Sequence, residues 1–270
     1  MQPAISEGWL DNVEPATGQV YSRIPRSATA DVEAAVAAAS AAFEDWRAWE
    51  PADRRAAMMR VADLIASNAE ELAVAEARDN GKPVSLARAV DIPRAEQNIR
   101  FYASAAEHFS SASTTMGDGT VHYTLRKPLG VVGCISPWNL PLYLLTWKIA
   151  PALAAGNCVV AKPSEVTPMT AFLFSRFFKE AGIPDGVFNM VHGLGPEVGE
   201  ALVDHAGVKA ISFTGGTATG ARIAARAGSV FKKYSLELGG KNATVVFADA
   251  DLDEAVAGAA RAAFANQGQI

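Results

Sequence analysis

From Gly130 onward, short apolar runs alternate with helical stretches, and this alternation constrains the fold more than any other feature of the sequence. The runs cover 131–135, 158–161, 187–191, 210–213 and 234–238, and helices are expected at roughly 142–155, 168–181, 196–204 and 217–227. Continuous apolar strands separated by helices require a parallel sheet covered on both faces. Right-handed crossovers then give a doubly wound, mostly parallel, Rossmann-like α/β sheet. Past Gly240 a further strand is expected at 244–247 and a helix from 251 to about 266, with Asp249 or Asp251 as its cap.

Upstream the pattern is helical. Residues 28–112 are rich in Ala, Glu and Arg and lack strand-like runs. Thr29 is the expected cap of a first helix, with Asp31 and Glu33 favourable in its first turn. Val32, Val36, Phe43 and Trp46 fall near one face of it, and Met58, Val61, Leu64 and Ile65 form the stripe of a second helix after Pro51. Asn80-Gly81-Lys82-Pro83 stops a third, and Asp91-Ile92-Pro93-Arg94 opens or kinks a fourth that runs to about 109. Residues 110–120 read as a polar loop. Residues 121–127 alternate apolar and polar, as in a half-exposed strand at an edge or a subunit contact.

Composition narrows the function class. Half of the 270 residues are hydrophobic, enough for a sizeable core. A net charge of -5 argues against nucleic acid or an anionic membrane as the main partner. Two cysteines exclude a disulfide scaffold and a CxxC zinc site, and fit a reducing compartment. The first 12 residues lack the basic and apolar regions of a signal peptide, and the apolar stretch 140–160 is interrupted by Pro141, Lys148, Pro151 and Asn157. The cytoplasm is the expected location.

Open α/β sheets bind ligands beyond the carboxyl ends of their strands, so the turns after the apolar runs are the place to look. Those turns are Ser136-Pro137-Trp138-Asn139, Lys162-Pro163-Ser164-Glu165, Thr214-Gly215-Gly216 and Glu237-Leu238-Gly239-Gly240. Glycines at 215 and 216 let backbone approach a phosphate at a helix N-terminus. Lys162 and Glu165 can hold a ribose, the carboxylate favouring NAD over NADP. Asn139 offers an amide to an oxyanion. Glu237, between Leu236 and Leu238, is expected in an apolar frame that raises its pKa and suits it to act as a general base. The four histidines lack metal-ligand spacing and read as surface or packing residues. Cys134 and Cys158 lie in apolar strands and read as small core residues.

As a set, these turns resemble the NAD(P)-dependent aldehyde dehydrogenase superfamily. The matching residues are Pro15-Ala16-Thr17-Gly18, Pro137-Trp138-Asn139, Lys162-Pro163-Ser164-Glu165, Phe213-Thr214-Gly215, the stretch from Leu236 to Asn242 and Phe264-Ala265-Asn266-Gln267-Gly268-Gln269. Asp91-Ile92-Pro93-Arg94, His122-Tyr123-Thr124 and the run from Ile135 to Lys148 are similar to the 2-aminomuconic and 2-hydroxymuconic semialdehyde dehydrogenase branch. The resemblance implies oxidation of a small-molecule aldehyde through a Cys thioester, with NAD as hydride acceptor. Asn139 would stabilise the oxyanion and Glu237 would activate the hydrolytic water. Ser136, Pro137, Trp138, Lys162, Ser164, Glu165, Phe213, Thr214, Gly215, Gly216, Leu238 and Gly239 would bind the cofactor. Arg94 would hold a substrate carboxylate, which suits a guanidinium fork.

The resemblance also implies a division of the chain. Residues 1–112 form the N-terminal arm and helices of the cofactor-binding domain, 113–129 a linker and strand of the oligomerisation arm, 130–239 the NAD-binding sheet and 240–270 the start of a catalytic domain. The nucleophilic Cys is expected directly after Ile270, so residues 1–270 are expected to be inactive alone and a longer parent to form a homo-oligomer. Two alternatives stand beside this reading: a non-catalytic NAD-binding or subunit-pairing remnant, and a general aliphatic or betaine-type aldehyde dehydrogenase.

Overall fold

The computed structural model describes residues 4–269. It opens with a hairpin, β1 (Trp9–Glu14) against β2 (Gln19–Pro25), turned at Gly18 with φ 69°. Three helices follow: α1 (Thr29–Ala48), α2 (Pro51–Ser67) and α3 (Ala69–Asn80). Thr29 is not the cap of α1. Ala28 occupies that position, and the Asp31 carboxylate reaches back to accept its N–H at 2.9 Å. The carboxylate thus satisfies an N-terminal donor three residues away, as in half of a capping box. Gly81, at φ 81°, ends α3 in a left-handed conformation that a side chain would strain.

The segment after Gly81 is one helix of changing pitch. It runs through α4 (Val84–Leu86), a π-helical turn at Ala87–Asp91 and α5 (Ile92–Ala105). The expected strand at 121–127 shortens to β4 (Val121–Tyr123). It pairs with β3 (Ser113–Thr115), which lies in the stretch read as loop. Both strands are exposed throughout, so no packing extends them.

The remaining elements are β5 (Val131–Ile135), α6 (Pro141–Ala154), β6 (Cys158–Lys162), α7 (Met169–Glu180), β7 (Phe188–Met190), α8 (Glu200–Asp204), β8 (Val208–Gly215), α9 (Thr217–Ser229), β9 (Lys233–Leu238) and α10 (Leu252–Phe264). A π-helical turn at Gly195–Gly199 supplies the first part of the helix expected at 196–204. Five strands form one sheet in the order β7-β6-β5-β8-β9, and every pairing is parallel. Strand order therefore reverses between β5 and β8, the switch point of a doubly wound sheet. β5 and β6 are buried at every position, as their unbroken apolar character demands. A Cβ on Gly133 would stand 2.8 Å from Ile211 Cδ1, so the centre of β5 has room only for glycine.

One continuous core joins the helices to the sheet, running from Val32, Trp46 and Ile65 through Ile99, Leu145 and Leu153 to Val159 and Phe174. The expected strand at 244–247 does not form. β9, the sheet edge, pairs only with β8 among the described strands, and residues 241–248 do not add to its open side. Val245 and Phe247 stay largely exposed. Helix α10 does form, capped by Asp251, whose carboxylate accepts from the N–H of Asp253 and Glu254 at 3.0 and 3.1 Å.

Candidate functional site

The carboxyl ends of β5, β6, β8 and β9 converge as the strand order predicts. The Ser136 N–H donates to the Lys162 carbonyl at 3.2 Å, extending the β5–β6 ladder into the turn. Ser136 and Lys162 are both buried. Ile135 pairs with Phe213, so Ser136 and Thr214 leave neighbouring strands at the switch point. The Ser136 Oγ and Thr214 Oγ1 are both buried and have no hydrogen-bond partner among the described residues. Buried hydroxyls are normally satisfied, so two orphans at a switch point fit an absent polar ligand.

Lys162 Nζ stands 2.5 Å from Glu165 Oε2. The Ser164 Oγ accepts the Val166 N–H at 3.2 Å and holds that short turn in shape. The ammonium is buried and the carboxylate only half-buried, so the pair presents its acidic side outward. His192 lies just past β7 and is also buried. Burial and the nearby Lys162 charge push its pKa down to about 4, so its imidazole is neutral. It is a packing residue.

Gly216 precedes the first turn of α9, and the space its missing Cβ would occupy is open. Helix N–H groups face an accessible region there, as anion binding at a helix N-terminus requires. Thr217 Oγ1 donates to the Gly239 carbonyl at 3.3 Å, which ties that helix end to the Leu238-Gly239 turn. Phe213 is buried beneath the switch point, and Gly215 leaves its ring room, since a Cβ there would meet Phe213 Cζ at 2.5 Å.

Asn139 is held from several sides. Its Nδ2 donates to the Gln269 carbonyl at 2.7 Å. Its own carbonyl accepts from Asn266 Nδ2 at 2.9 Å, Lys82 Nζ at 3.3 Å and Asn80 Nδ2 at 3.5 Å. The carbonyl of Trp138 accepts from Asn80 Nδ2 at 2.9 Å. Pro137 and Trp138 line the outer side of this turn, with Trp138 exposed. Asn266 and Gln267 both have positive φ, 50° and 55°, in the turn that brings 266–269 against Asn139. Such conformations are uncommon outside glycine and cluster at functional sites.

Glu237 departs from expectation. It pairs with Thr214 on the edge strand and is exposed, so the apolar frame expected around it does not form. Its neighbours Leu236 and Leu238 belong to the other face of a strand with side-chain period 2. Lys148, which the sequence marked only as an interruption of an apolar stretch, is buried. Burial holds its ammonium below the usual lysine range, while the Cys134 thiol and Glu237 pull the other way.

Arg94 stands at the start of α5 against an aromatic wall on α6. Its Nε donates to the Tyr143 hydroxyl at 3.4 Å, with the guanidinium 5.5 Å from that ring. Tyr143, Trp147 and Tyr102 follow one another edge to face at 6.2 and 6.1 Å. Cys134 and Cys158 are free and buried, and burial pushes both thiols up to about 12. Neither can supply a thiolate near neutral pH.

Behind the Asn139 turn lies a charged cluster that the sequence pattern does not reveal. Lys82 Nζ and Asp91 Oδ1 are 2.8 Å apart, and both side chains are buried. Glu76 is also fully buried. It accepts from Thr170 Oγ1 at 2.6 Å and the Leu142 N–H at 3.4 Å. Burial first, and the Asp91 charge second, push its carboxyl up to about 8. The available signal is a charge on an otherwise inward helix face, together with the Lys immediately after Gly81.

With this geometry in place, comparison settles the class. The sequence profile described as the aldehyde dehydrogenase family matches residues 3–270, and the chain belongs to that family. It is 52% identical over 263 residues to 2-aminomuconic semialdehyde dehydrogenase of Homo sapiens, spanning 97% of this chain and 54% of the relative. It is 48% identical over 268 residues to 2-hydroxymuconic semialdehyde dehydrogenase of Pseudomonas sp. (strain CF600), spanning 97% and 55%. The NAD+ complex structure of an aldehyde dehydrogenase from Bacillus cereus superposes with a TM-score of 0.97 at 40% identity, covering 99% of this chain and 55% of that one. The chain thus spans about half the length of the relatives it matches.

Proposed function

We propose that this chain is the NAD-binding half of an aldehyde dehydrogenase whose substrate is a carboxylated, muconic-type semialdehyde. The observation that carries the reading is the meeting, at one sheet end, of the Lys162–Glu165 pair, the partnerless Ser136 and Thr214 hydroxyls, the open N-terminus of α9 and the amide of Asn139. The muconic names of two relatives and the aromatic wall that Arg94 faces support the substrate class.

NAD, when bound, accepts the hydride. Lys162 and Glu165 would hold the adenosine ribose, Gly215 and Gly216 would let the helix N–H groups approach the pyrophosphate, and Ser164, Phe213, Leu238 and Gly239 would shape the surrounding turns. A thiolate supplied from beyond residue 270 adds to the aldehyde carbon, and Asn139 Nδ2 donates to the oxyanion that forms. Glu237 takes the proton of the water that hydrolyses the thioester. Arg94 binds the remote carboxylate. In this scheme residues 1–112 and 130–239 form the cofactor-binding domain, 113–129 the linker and arm strand, and 240–270 the start of the catalytic domain. The complete enzyme is a cytoplasmic homo-oligomer.

Because both thiols are buried, residues 1–270 bind NAD without forming NADH from any aldehyde. Calorimetric titration with NAD, together with absorbance at 340 nm in the presence of aldehyde, checks both halves of that statement. Aldehyde-dependent NADH formation by 1–270 that disappears in Cys134→Ala or Cys158→Ala overturns it. Reading the coding sequence past position 270 tests for an in-frame Cys codon. In the complete enzyme, Arg94→Ala should lower turnover of carboxylated semialdehydes alone, whereas unchanged kinetics would favour a general aliphatic or betaine-type substrate.

A further inference from the structure

Three side-chain nitrogens, from two segments, reach the backbone of the turn that carries Asn139. Asn80, at the end of α3, holds the Trp138 carbonyl. Lys82, two residues on, reaches the Asn139 carbonyl. Asn266, after α10, reaches the same carbonyl from another segment. Of these donors, only Lys82 brings a full charge, and that charge is balanced by Asp91 in a buried pair.

The π-helical turn explains how Asp91 comes to face inward. The Ile92 N–H bonds to the Ala87 carbonyl, five residues back, where an α-helix would bond four back. Removing that extra residue would rotate the helix face after it by about 100° and carry Asp91 away from Lys82. Single π-turns inside helices are often found at functional sites. Here the turn sets two residues at once: Asp91 toward Lys82, and Arg94, three residues on, against Tyr143.

We propose that Lys82 and Asp91 are positioning residues for Asn139: the buried pair, placed by the π-turn, fixes the peptide plane from which the Asn139 amide is aimed. A buried ion pair is often replaceable by apolar side chains without loss of stability, so stability alone does not account for one at this position. An oxyanion donor, by contrast, works only when its orientation is set before the reaction. The compact ammonium of lysine can bridge a carboxylate and a carbonyl as a point charge. The inference rests on the reading of Asn139 as oxyanion donor.

The test is a double-mutant cycle in the complete enzyme, with Lys82→Met/Asp91→Leu as one arm and Asn139→Ala as the other. The pair variant removes both charges, so no lone buried charge is left behind. We expect kcat to fall about tenfold or more in the pair variant, with the Kd for NAD changed less than about twofold, and Asn139→Ala to cost on the order of a hundredfold. The combined variant should be no slower than Asn139→Ala alone, because the pair acts through Asn139. Losses that multiply, or a pair variant within about twofold of the parent, overturn the inference. If Asn139→Ala leaves turnover unchanged, the reading of Asn139 fails first and takes the inference with it, a result distinct from both of those. If the pair variant does not fold, Lys82→Arg replaces it. This keeps the charge but not the compact geometry, and should lower kcat at unchanged NAD affinity, whereas full activity overturns the inference.

Discussion

Replacing Glu76 by Gln should stabilise the protein, and by an amount that grows as pH rises. Glu76 is fully buried beside the Lys82–Asp91 pair, and its carboxyl is pushed from an ordinary value of 4.5 up to about 8. In the fold it is therefore a neutral acid at pH 7, whereas in the unfolded chain it is ionised. Between 4.5 and about 8 the folded state holds a proton that the unfolded state releases, so the stability tied to this proton is fully present below pH 4.5. It is lost as pH rises, and gone once pH passes about 8. At about 1.4 kcal/mol per pH unit, the loss is about 3 kcal/mol by pH 7 and on the order of 5 kcal/mol above pH 8.

Gln matches the shape of the neutral acid. Its Oε1 can accept the Leu142 N–H and its Nε2 can donate to Thr170 Oγ1, the two partners Glu76 has now. It carries no proton to lose. Urea unfolding of residues 1–270 at pH 5, 7 and 8.5 measures the effect. The Glu76→Gln chain should be close to the parent at pH 5, about 3 kcal/mol more stable at pH 7 and further ahead at 8.5. A stability difference that stays constant over this range would refute the reasoning, because it would mean Glu76 has the same charge in both states.

His192 should give the opposite slope at acid pH. Its folded pKa of about 4 lies below the ordinary 6.5, so stability falls by roughly 3 kcal/mol as pH drops through that window, and His192→Gln should flatten the decline in acid unfolding. Asn157→Ala should cost about 2–4 kcal/mol in urea unfolding, because its Oδ1 accepts from the N–H groups of Leu129 and Gly130 at 2.6 and 3.3 Å and its Nδ2 donates to Ala152. Gly220→Ala should lower stability by about 1–3 kcal/mol, since the new Cβ would stand 2.4 Å from Leu238 Cδ2 where α9 crosses β9, and circular dichroism melts would show it.

The sheet and the turns at the carboxyl ends of most of its strands are legible in the sequence because both follow from one physical rule. A strand buried on both faces must be apolar throughout, and where the apolar run stops the chain has reached the carboxyl end of that strand. The ends of the apolar runs are enough to put Ser136, Lys162 and Thr214 there. Strand 244–247 cannot be judged so, because a strand needs a partner and its composition does not reveal one. Glu237 misleads for a related reason: leucines on either side of it mark the opposite face of the strand, and on an edge strand its own face meets water.

The Lys82–Asp91 pair and Glu76 escape for a different reason. A charged residue in a helical sequence is assigned to the solvent side by default, and only the packing of α3, α5 and α6 shows these three facing inward. Each is nonetheless costly to bury, and costly residues are kept inside only when something there holds them. The three do not scatter through the core. Lys82 bonds the carbonyl of Asn139, Asp91 bonds Lys82, and Glu76 accepts the N–H of Leu142, three residues beyond Asn139. Three of the buried ionisable side chains, Glu76, Lys82 and Asp91, thus gather around the entry to α6, next to the turn that carries the Asn139 amide.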